Sequence, residues 1–445
     1  MQYCPRMTLM IWNMQNNSFS ESLKQYFGLS EKTVSLMKET EQEYQNAFLR
    51  VEEIAKINQL KVLKAFQNHR VSYAHFGETT GYGYDDLGRD TLDQIWAEIF
   101  GAEDALVRHN IVSGTQAIAS CLYGILRPGD TMASVVGGPY DTMEEVIGLR
   151  GEPDSGSLMD FGVSYTQVDL LPDGKVDFAG IQKTIKENKI KLALIQRSRG
   201  YAWRDSLTVD EIGKIIDCIK EVDSEVICMV DNCYGEFVED KEPTQVGADI
   251  IVGSLIKNAG GSLALSGGYV AGRKDLVEKI SYRLTAPGLG RHTGASLGFN
   301  RNLYQGLFMA PHVVAESIKT AILCAGVFKK LGYPVCPEPE AMRSDIIQAV
   351  KFGNPKKLIA FCQAIQAGSP IDSHVRPEPW EMPGYGDPVI MAAGAFVQGA
   401  SIELSADAPI CDPYIAYMQG GVIYDSAKIG ILKAADAIGE VETNA

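Results

Sequence analysis

The chain has 445 residues, 45% hydrophobic and 22% charged, with 44 glycines and a formal net charge of −15. This is an ordinary globular composition, and the length suits two or three domains around a large core. An acidic balance with no long run of either sign excludes nucleic-acid binding through basic patches and favours solubility.

The segment Met1–Trp12 carries an apolar patch too short for a signal peptide, and no stretch is read as a membrane span. Cysteines stand at 4, 121, 218, 228, 233, 324, 336, 362 and 411, with no C-x-x-C pair. Several lie in apolar runs. Free buried thiols in a reducing cytosol are therefore expected, without a metal site, and the protein reads as cytoplasmic.

Residues 19 to about 70 predict helices, because Phe48, Val51, Ile54, Leu60, Leu63 and Phe66 recur at helical spacing. Residues 1–72 are read as an N-terminal helical arm. Residues 74–91 form a loop rich in glycine and tyrosine, and Leu92–Phe100 an amphipathic helix. From 104 onward strands alternate with helices: strands at 105–107, 131–136, 163–168, 192–195 and 226–230, helices at 114–126, 141–149, 178–188 and 209–222. This alternation predicts an α/β fold with a mostly parallel sheet, and a site beyond the carboxyl ends of its strands. The large domain is placed at 73–310 and a smaller α+β C-terminal domain at 311–445. The latter has a helix at 313–331, an edge strand or connection at 333–339, a helix at 356–367, a proline-rich loop at 369–387 and a strand at 400–404.

Four features carry chemistry. Ser113-Gly114-Thr115 opens a helix, where free amides and hydroxyls suit a phosphate; taken alone it is an ordinary helix cap. Tyr140 follows Gly137-Gly138-Pro139 and has a face to stack on a planar ligand, or simply to pack. Asp231 ends the apolar run Val226–Val230. Lys257 follows a short buried strand and sits among glycines, where desolvation is expected to lower its pKa and expose a nucleophilic amine. Together these are the parts that pyridoxal 5′-phosphate requires: a phosphate turn, a ring-stacking tyrosine, a partner for the pyridine nitrogen and a lysine to hold the aldehyde as a Schiff base.

With those residues in view, the stretch from about 75 to 290 resembles the fold-type I pyridoxal-phosphate enzymes, the aspartate aminotransferase fold. Within them it resembles the Cys/Met-metabolism group. Nearly the whole chain resembles the methionine γ-lyase-like, or aluminium-resistance, family. Val230-Asp-Asn-Cys-Tyr234 matches V-D-N-x-Y, and Ser254-Leu-Ile-Lys257 matches S-x-x-K. The resemblance implies cofactor binding by Ser113, Gly114, Thr115, Tyr140, Asp231 and Ser254, and covalent attachment at Lys257. It also implies that Tyr84 reaches a neighbouring subunit's site in a homodimer or homotetramer. Two departures stand out. The group's Y-x-R reads Tyr84-Asp85-Asp86 here, with Arg89 following. Glu403 stands near the position expected for the arginine that binds the substrate carboxylate, which leaves Arg376, Arg199 and Arg89 as candidates for substrate contact. The expected activity is carbon–sulfur lysis of a small amino acid, with Lys257 and Tyr140 catalytic. Transamination, aldol-type cleavage and a non-catalytic cofactor-holding role remain open at this point.

Overall fold

The computed structural model describes residues 19–382 and 386–443. The readings of Met1–Trp12 and Cys4, and the part of the proline-rich loop at 383–385, lie outside the described residues.

Three helices open the chain where helical spacing predicts them: α1 (Phe19–Phe27), α2 (Glu31–Glu43) and α3 (Gln45–Asn68). The Ser30 side chain caps α2 by accepting from the Thr33 amide at 3.1 Å. Helix α4 (Leu87–Phe100) begins at Leu87 rather than Leu92. Its cap is Asp86, whose carboxylate accepts from the Arg89 amide at 2.8 Å and from Thr79 and Asn300. The aspartate that replaces the expected arginine is thus a helix cap.

The alternating region contains β1 (Asp104–Arg108), α5 (Gly114–Ile125), β2 (Thr131–Ser134), α6 (Asp141–Ile147), β3 (Ser164–Gln167), α7 (Phe178–Glu187), β4 (Ile190–Gln196), α8 (Val209–Val222), β5 (Ile227–Asp231), β6 (Ile250–Ser254), β7 (Gly268–Gly272) and α9 (Lys274–Leu284). The seven strands form one sheet in the order β1-β7-β6-β5-β4-β2-β3. Strands β6, β5, β4, β2 and β3 are parallel, and β7 runs antiparallel to both its neighbours. The central strands are apolar at successive positions because both faces are covered. Cys228, Val230 and Ile251 point into a core with Trp96 of α4 and Ile212 of α8. Ile227, Met229, Ile250 and Val252 point into the other, with Ile118 of α5 and Ile280 of α9.

Helix α10 (Asn300–Lys330) runs unbroken through the expected domain boundary at 310/311. It corrects the reading that no stretch could span a membrane. By length and composition it qualifies, but most of it is buried inside the molecule. It leads to a second, antiparallel sheet of β8 (Val335–Cys336), β9 (Gln348–Lys351), β10 (Val389–Ala393), β11 (Ser405–Pro409) and β12 (Ile415–Gln419), in the order β10-β11-β12-β9-β8. Helices α11 (Pro355–Gly368) and α12 (Tyr424–Thr443) cover one face over Ala406, Ala416, Met418 and Val350. The other face carries Ala349, Ile415 and Tyr417, packed on Tyr201 and Tyr234 of the first sheet's loops. The strand expected at 400–404 is instead a turn, since Glu403 accepts the Phe396 and Val397 amides at 2.7 and 3.1 Å; the strand begins at Ser405.

Candidate active site

The carboxyl ends of the parallel strands stand side by side. Asp231 at the end of β5 pairs with Val252 of β6 and Gln196 of β4. Ser254 closes β6, Tyr140 follows β2, and α5 begins at the same edge.

Ser254 is 1% exposed, yet its Oγ has no hydrogen-bond partner among the described residues. A buried hydroxyl in that state costs stability unless a ligand completes it. It lies against the first residue of α5. A Cβ built at Gly114 would stand 3.6 Å from the Ser254 Cβ and 3.4 Å from the Cys233 sulfur. Ser113 caps α5 by accepting from the Gln116 amide at 3.1 Å. The Thr115 hydroxyl meets that of Thr142, in α6, at 2.8 Å. The start of α5 and the unpartnered Ser254 hydroxyl therefore form a cradle for a phosphate.

Lys257 is half-buried in the turn after β6, with its Nζ 4.0 Å from the centroid of the Tyr234 ring. Tyr234 adopts φ 72°, a left-handed conformation that costs a tyrosine energy. The buried Asn258 side chain donates to the Tyr234 and Glu236 carbonyls at 2.9 and 3.1 Å. It thereby clamps the lysine turn to the turn after β5.

The electrostatics correct the sequence expectation for the lysine. Burial opposes its charge, but Cys233, Tyr234, Asp231 and Glu236 surround it and together raise its pKa above the usual value. In the unloaded protein Lys257 is a cation. Burial also raises the proton affinity of Asp231, against the pull of Lys257 and the Cys233 amide, which donates to its Oδ1 at 3.1 Å.

Tyr140 caps α6 and faces the loop after β4, its ring 6.3 Å from that of Tyr201; Tyr201 in turn packs at 5.2 Å on Tyr417 of β12. This aromatic wall joins the two sheets beside the lysine. It also brings in Asp407, which sequence reasoning missed because the strand was placed at 400–404. Asp407 pairs with Tyr417 across β11 and β12 and accepts from Gln419 at 3.0 Å. Burial pushes its pKa up to about 6, against the Gln419 bond and the charge of Lys257.

The remaining candidates separate. Tyr84 is exposed and stacked on Tyr82, with ring centroids 5.5 Å apart. Arg89 is buried and committed within the chain: it donates to the Gly83 and Gly294 carbonyls at 2.7 and 2.8 Å and to Asp90. It braces the tyrosine loop, where Gly83 lets the backbone approach Ala295 too closely for any Cβ. Arg376 lies exposed on the outer side of α11, donating to Gln363 at 2.9 Å, and so does not join the lysine cluster. Arg197 is taken up by Asn232 and Glu239 at 2.7 and 2.8 Å. Arg199 donates to the Cys336 carbonyl at 2.8 Å, and its Nε and Nη2 have no hydrogen bond among the described residues. Thr142, Tyr234 and Asn258 were also missed, although Tyr234 and Asn258 adjoin the motifs that revealed Asp231 and Lys257.

Residues 33–439 match the methionine gamma-lyase family. The chain belongs to that family. It is a fold-type I pyridoxal-phosphate protein related to methionine gamma-lyase. YnbB of Bacillus subtilis is 53% identical over 388 residues, covering 87% of this chain and 92% of YnbB. A crystal structure of a carbon-sulfur lyase involved in aluminum resistance from Clostridium novyi NT is 52% identical, with a TM-score of 0.90 over 93% of this chain and 97% of that one. The L-methionine gamma-lyase of Treponema denticola is 24% identical over 221 residues, about half of each chain. The strand-end residues fit the family's cofactor: a buried hydroxyl beside a helix start with no hydrogen-bond partner among the described residues, a half-buried carboxylate, and a lysine in the turn after the neighbouring strand.

Proposed function

We propose that this member of the methionine gamma-lyase family is a pyridoxal-phosphate-dependent carbon–sulfur lyase with the cofactor attached at Lys257. It acts on a sulfur-containing amino acid and yields a 2-oxo acid, ammonia and a thiol. The observation that carries this reading is the unpartnered Ser254 hydroxyl beside Gly114, on the same sheet edge as Asp231 and Lys257. The bound cofactor supplies an electron sink for the bond pair left at the substrate Cα. Ser113, Gly114, Thr115 and Ser254 would hold its phosphate, Tyr140 would pack on its ring, and Asp231 would partner its ring nitrogen. The Lys257 amine would take the proton from the substrate Cα. The carbon–sulfur bond pair then leaves with the sulfur, and water releases ammonia and the 2-oxo acid. Arg199 is the arginine we assign to the substrate carboxylate, because its Nε and Nη2 make no hydrogen bond among the described residues and meet Asp345 and Asp205 only at 4.0 and 3.8 Å. The assay is release of ammonia and 2-oxo acid from cysteine, cystathionine and methionine without an amino acceptor. Release that requires an acceptor would make the protein an aminotransferase, and no turnover by a fully loaded protein would leave a cofactor-holding role.

Ser254→Ala separates binding from folding. It should raise the stability of the unloaded protein by about 1 kcal/mol, because an unsatisfied hydroxyl leaves the core. It should weaken cofactor binding by about tenfold. Thermal melts with and without pyridoxal phosphate check both signs; a variant that binds as tightly as the parent removes Ser254 from the cradle.

The exposed Tyr82–Tyr84 pair, held by Arg89 on a braced loop, suits a contact with a second subunit. We assign Tyr84 to the partner's site in a homodimer or homotetramer. Light scattering that gives a monomer with full cofactor occupancy counts against this.

A further inference from the structure

Beneath the lysine lies a buried polar network that the proposed reaction does not use. Arg197, fully buried, donates to Asn232 at 2.7 Å and to Glu239 at 2.8 Å, with Glu242 3.5 Å away. The Asn232 amide donates to Glu242 at 3.0 Å and to the Tyr269 hydroxyl at 3.3 Å. Tyr269 donates to Glu236 Oε1 at 2.8 Å. The chain of donors therefore runs from a guanidinium to one oxygen of Glu236 and stops. Glu236 is 0% exposed and its Oε2 has no hydrogen-bond partner among the described residues.

The position is built for this carboxyl. Gly253, immediately before Ser254, makes room for it: a Cβ there would stand 2.6 Å from Glu236 Oε1 and 2.6 Å from Tyr269 Cε1. Asn258, next to Lys257, holds the Glu236 carbonyl at 3.1 Å. One guanidinium already serves two carboxylates, so Glu236 has no cation of its own in the network. The charged groups that face it are Glu242 from the turn after β5 and Lys257 from the turn after β6. Tyr269 faces it from β7, and Cys233 and Asp231 complete the groups around the lysine. A carboxylate with one bare buried oxygen carries a costly buried charge, whereas protonation at that oxygen removes the charge and leaves only a neutral hydroxyl to bury.

We infer that Glu236 is a neutral carboxylic acid beneath Lys257, a positioning residue whose ionisation sets the charge felt by the lysine nitrogen. Burial pushes its pKa up to about 8, with its own backbone amide, the Tyr269 hydrogen bond and the charge of Lys257 opposing and Glu242 reinforcing. Near neutral pH the lysine nitrogen thus sees Asp231 and Asp407 but no negative charge on Glu236. Above about 8 the ionised Glu236 supplies one and tightens the hold on any proton there. The role in catalysis rests on Lys257 as the attachment point; the protonation state of Glu236 does not.

Glu236→Gln preserves shape and mimics the acid form, and the test uses it in two measurements. In the unloaded protein, infrared difference spectra at neutral pH should show a protonated-carboxyl stretch that disappears as pH rises through about 8 and is absent from the variant. In the loaded protein, the pH titration of visible absorbance should lose its component near 8 in the variant, with the neutral-pH spectrum unchanged. No protonated carboxyl in the parent overturns the inference, as does a variant whose absorbance titrates like the parent. A parent protein that takes up no cofactor sinks the functional proposal instead and leaves the infrared result to decide the state of Glu236. If Glu236→Gln fails to fold, Tyr269→Phe serves in its place: losing the hydroxyl that favours the ionised form should move the carboxyl transition to higher pH.

Discussion

Lys257→Ala should abolish covalent cofactor attachment and lower turnover by at least about 10³-fold, because one group serves as both anchor and proton acceptor. The reasoning is electrostatic as well as chemical. Nζ is the cation over the Tyr234 ring, and its charge opposes the effect of burial at Asp231, Asp407 and Glu236. With it gone, Asp231 loses the charge that offsets burial, so its proton affinity rises further in the unloaded site. Binding through the cradle of Ser254 and α5 should persist, because those groups do not depend on the lysine. The expected phenotype is therefore reversible cofactor uptake without attachment. Borohydride reduction followed by peptide mass mapping checks it: the parent should carry the cofactor mass on the peptide containing Lys257, and the variant should carry none. Attachment at another lysine in the parent would overturn the assignment.

How much of this was legible in the sequence depends on the range of the interactions. The central large-domain strands β4, β5 and β6 are nearly continuous apolar runs, so their positions and the ligand edge could be read locally. Asp231 and Lys257 sit where such runs end, and their motifs are short and contiguous. The small domain was read less well. Ala400–Leu404 is apolar enough to pass for a strand, but Glu403 turns back to cap the Phe396 and Val397 amides. The true strand, Ser405–Pro409, alternates small residues with Asp407 and carries little β signal. Missing it hid the acid that faces the lysine. Arg89 and Arg376 were misplaced for a related reason. An arginine's role is set by what accepts its hydrogen bonds, and Gly83 and Gly294 for Arg89, or Gln363 for Arg376, are partners the chain brings together only on folding. The lysine's charge state was misjudged because desolvation is predictable from apolar neighbours, whereas the opposing carboxyl groups come from β5 and its turn.

Asp231→Asn should leave the protein able to attach its cofactor while lowering turnover by about 10²- to 10³-fold, or roughly 3–4 kcal/mol of barrier. Asparagine keeps the size of the side chain and can still accept from the Cys233 amide, the bond Asp231 makes at 3.1 Å. What it removes is a full negative charge at the buried end of β5. In the proposed site that charge keeps a proton on the cofactor ring nitrogen, and without it the electron pair released at the substrate Cα is poorly accommodated. The same change removes one of the anionic neighbours that raise the pKa of Lys257, so the lysine pKa should fall. The two consequences are separable. Retained absorbance with lost turnover locates the defect at the ring nitrogen. Lost absorbance would make Asp231 a binding residue first. Asp231→Glu restores the charge on a longer arm and should recover part of the activity. An asparagine variant as active as the parent would remove Asp231 from the chemistry and, with it, the reason for a carboxylate to end a strand that is otherwise wholly apolar.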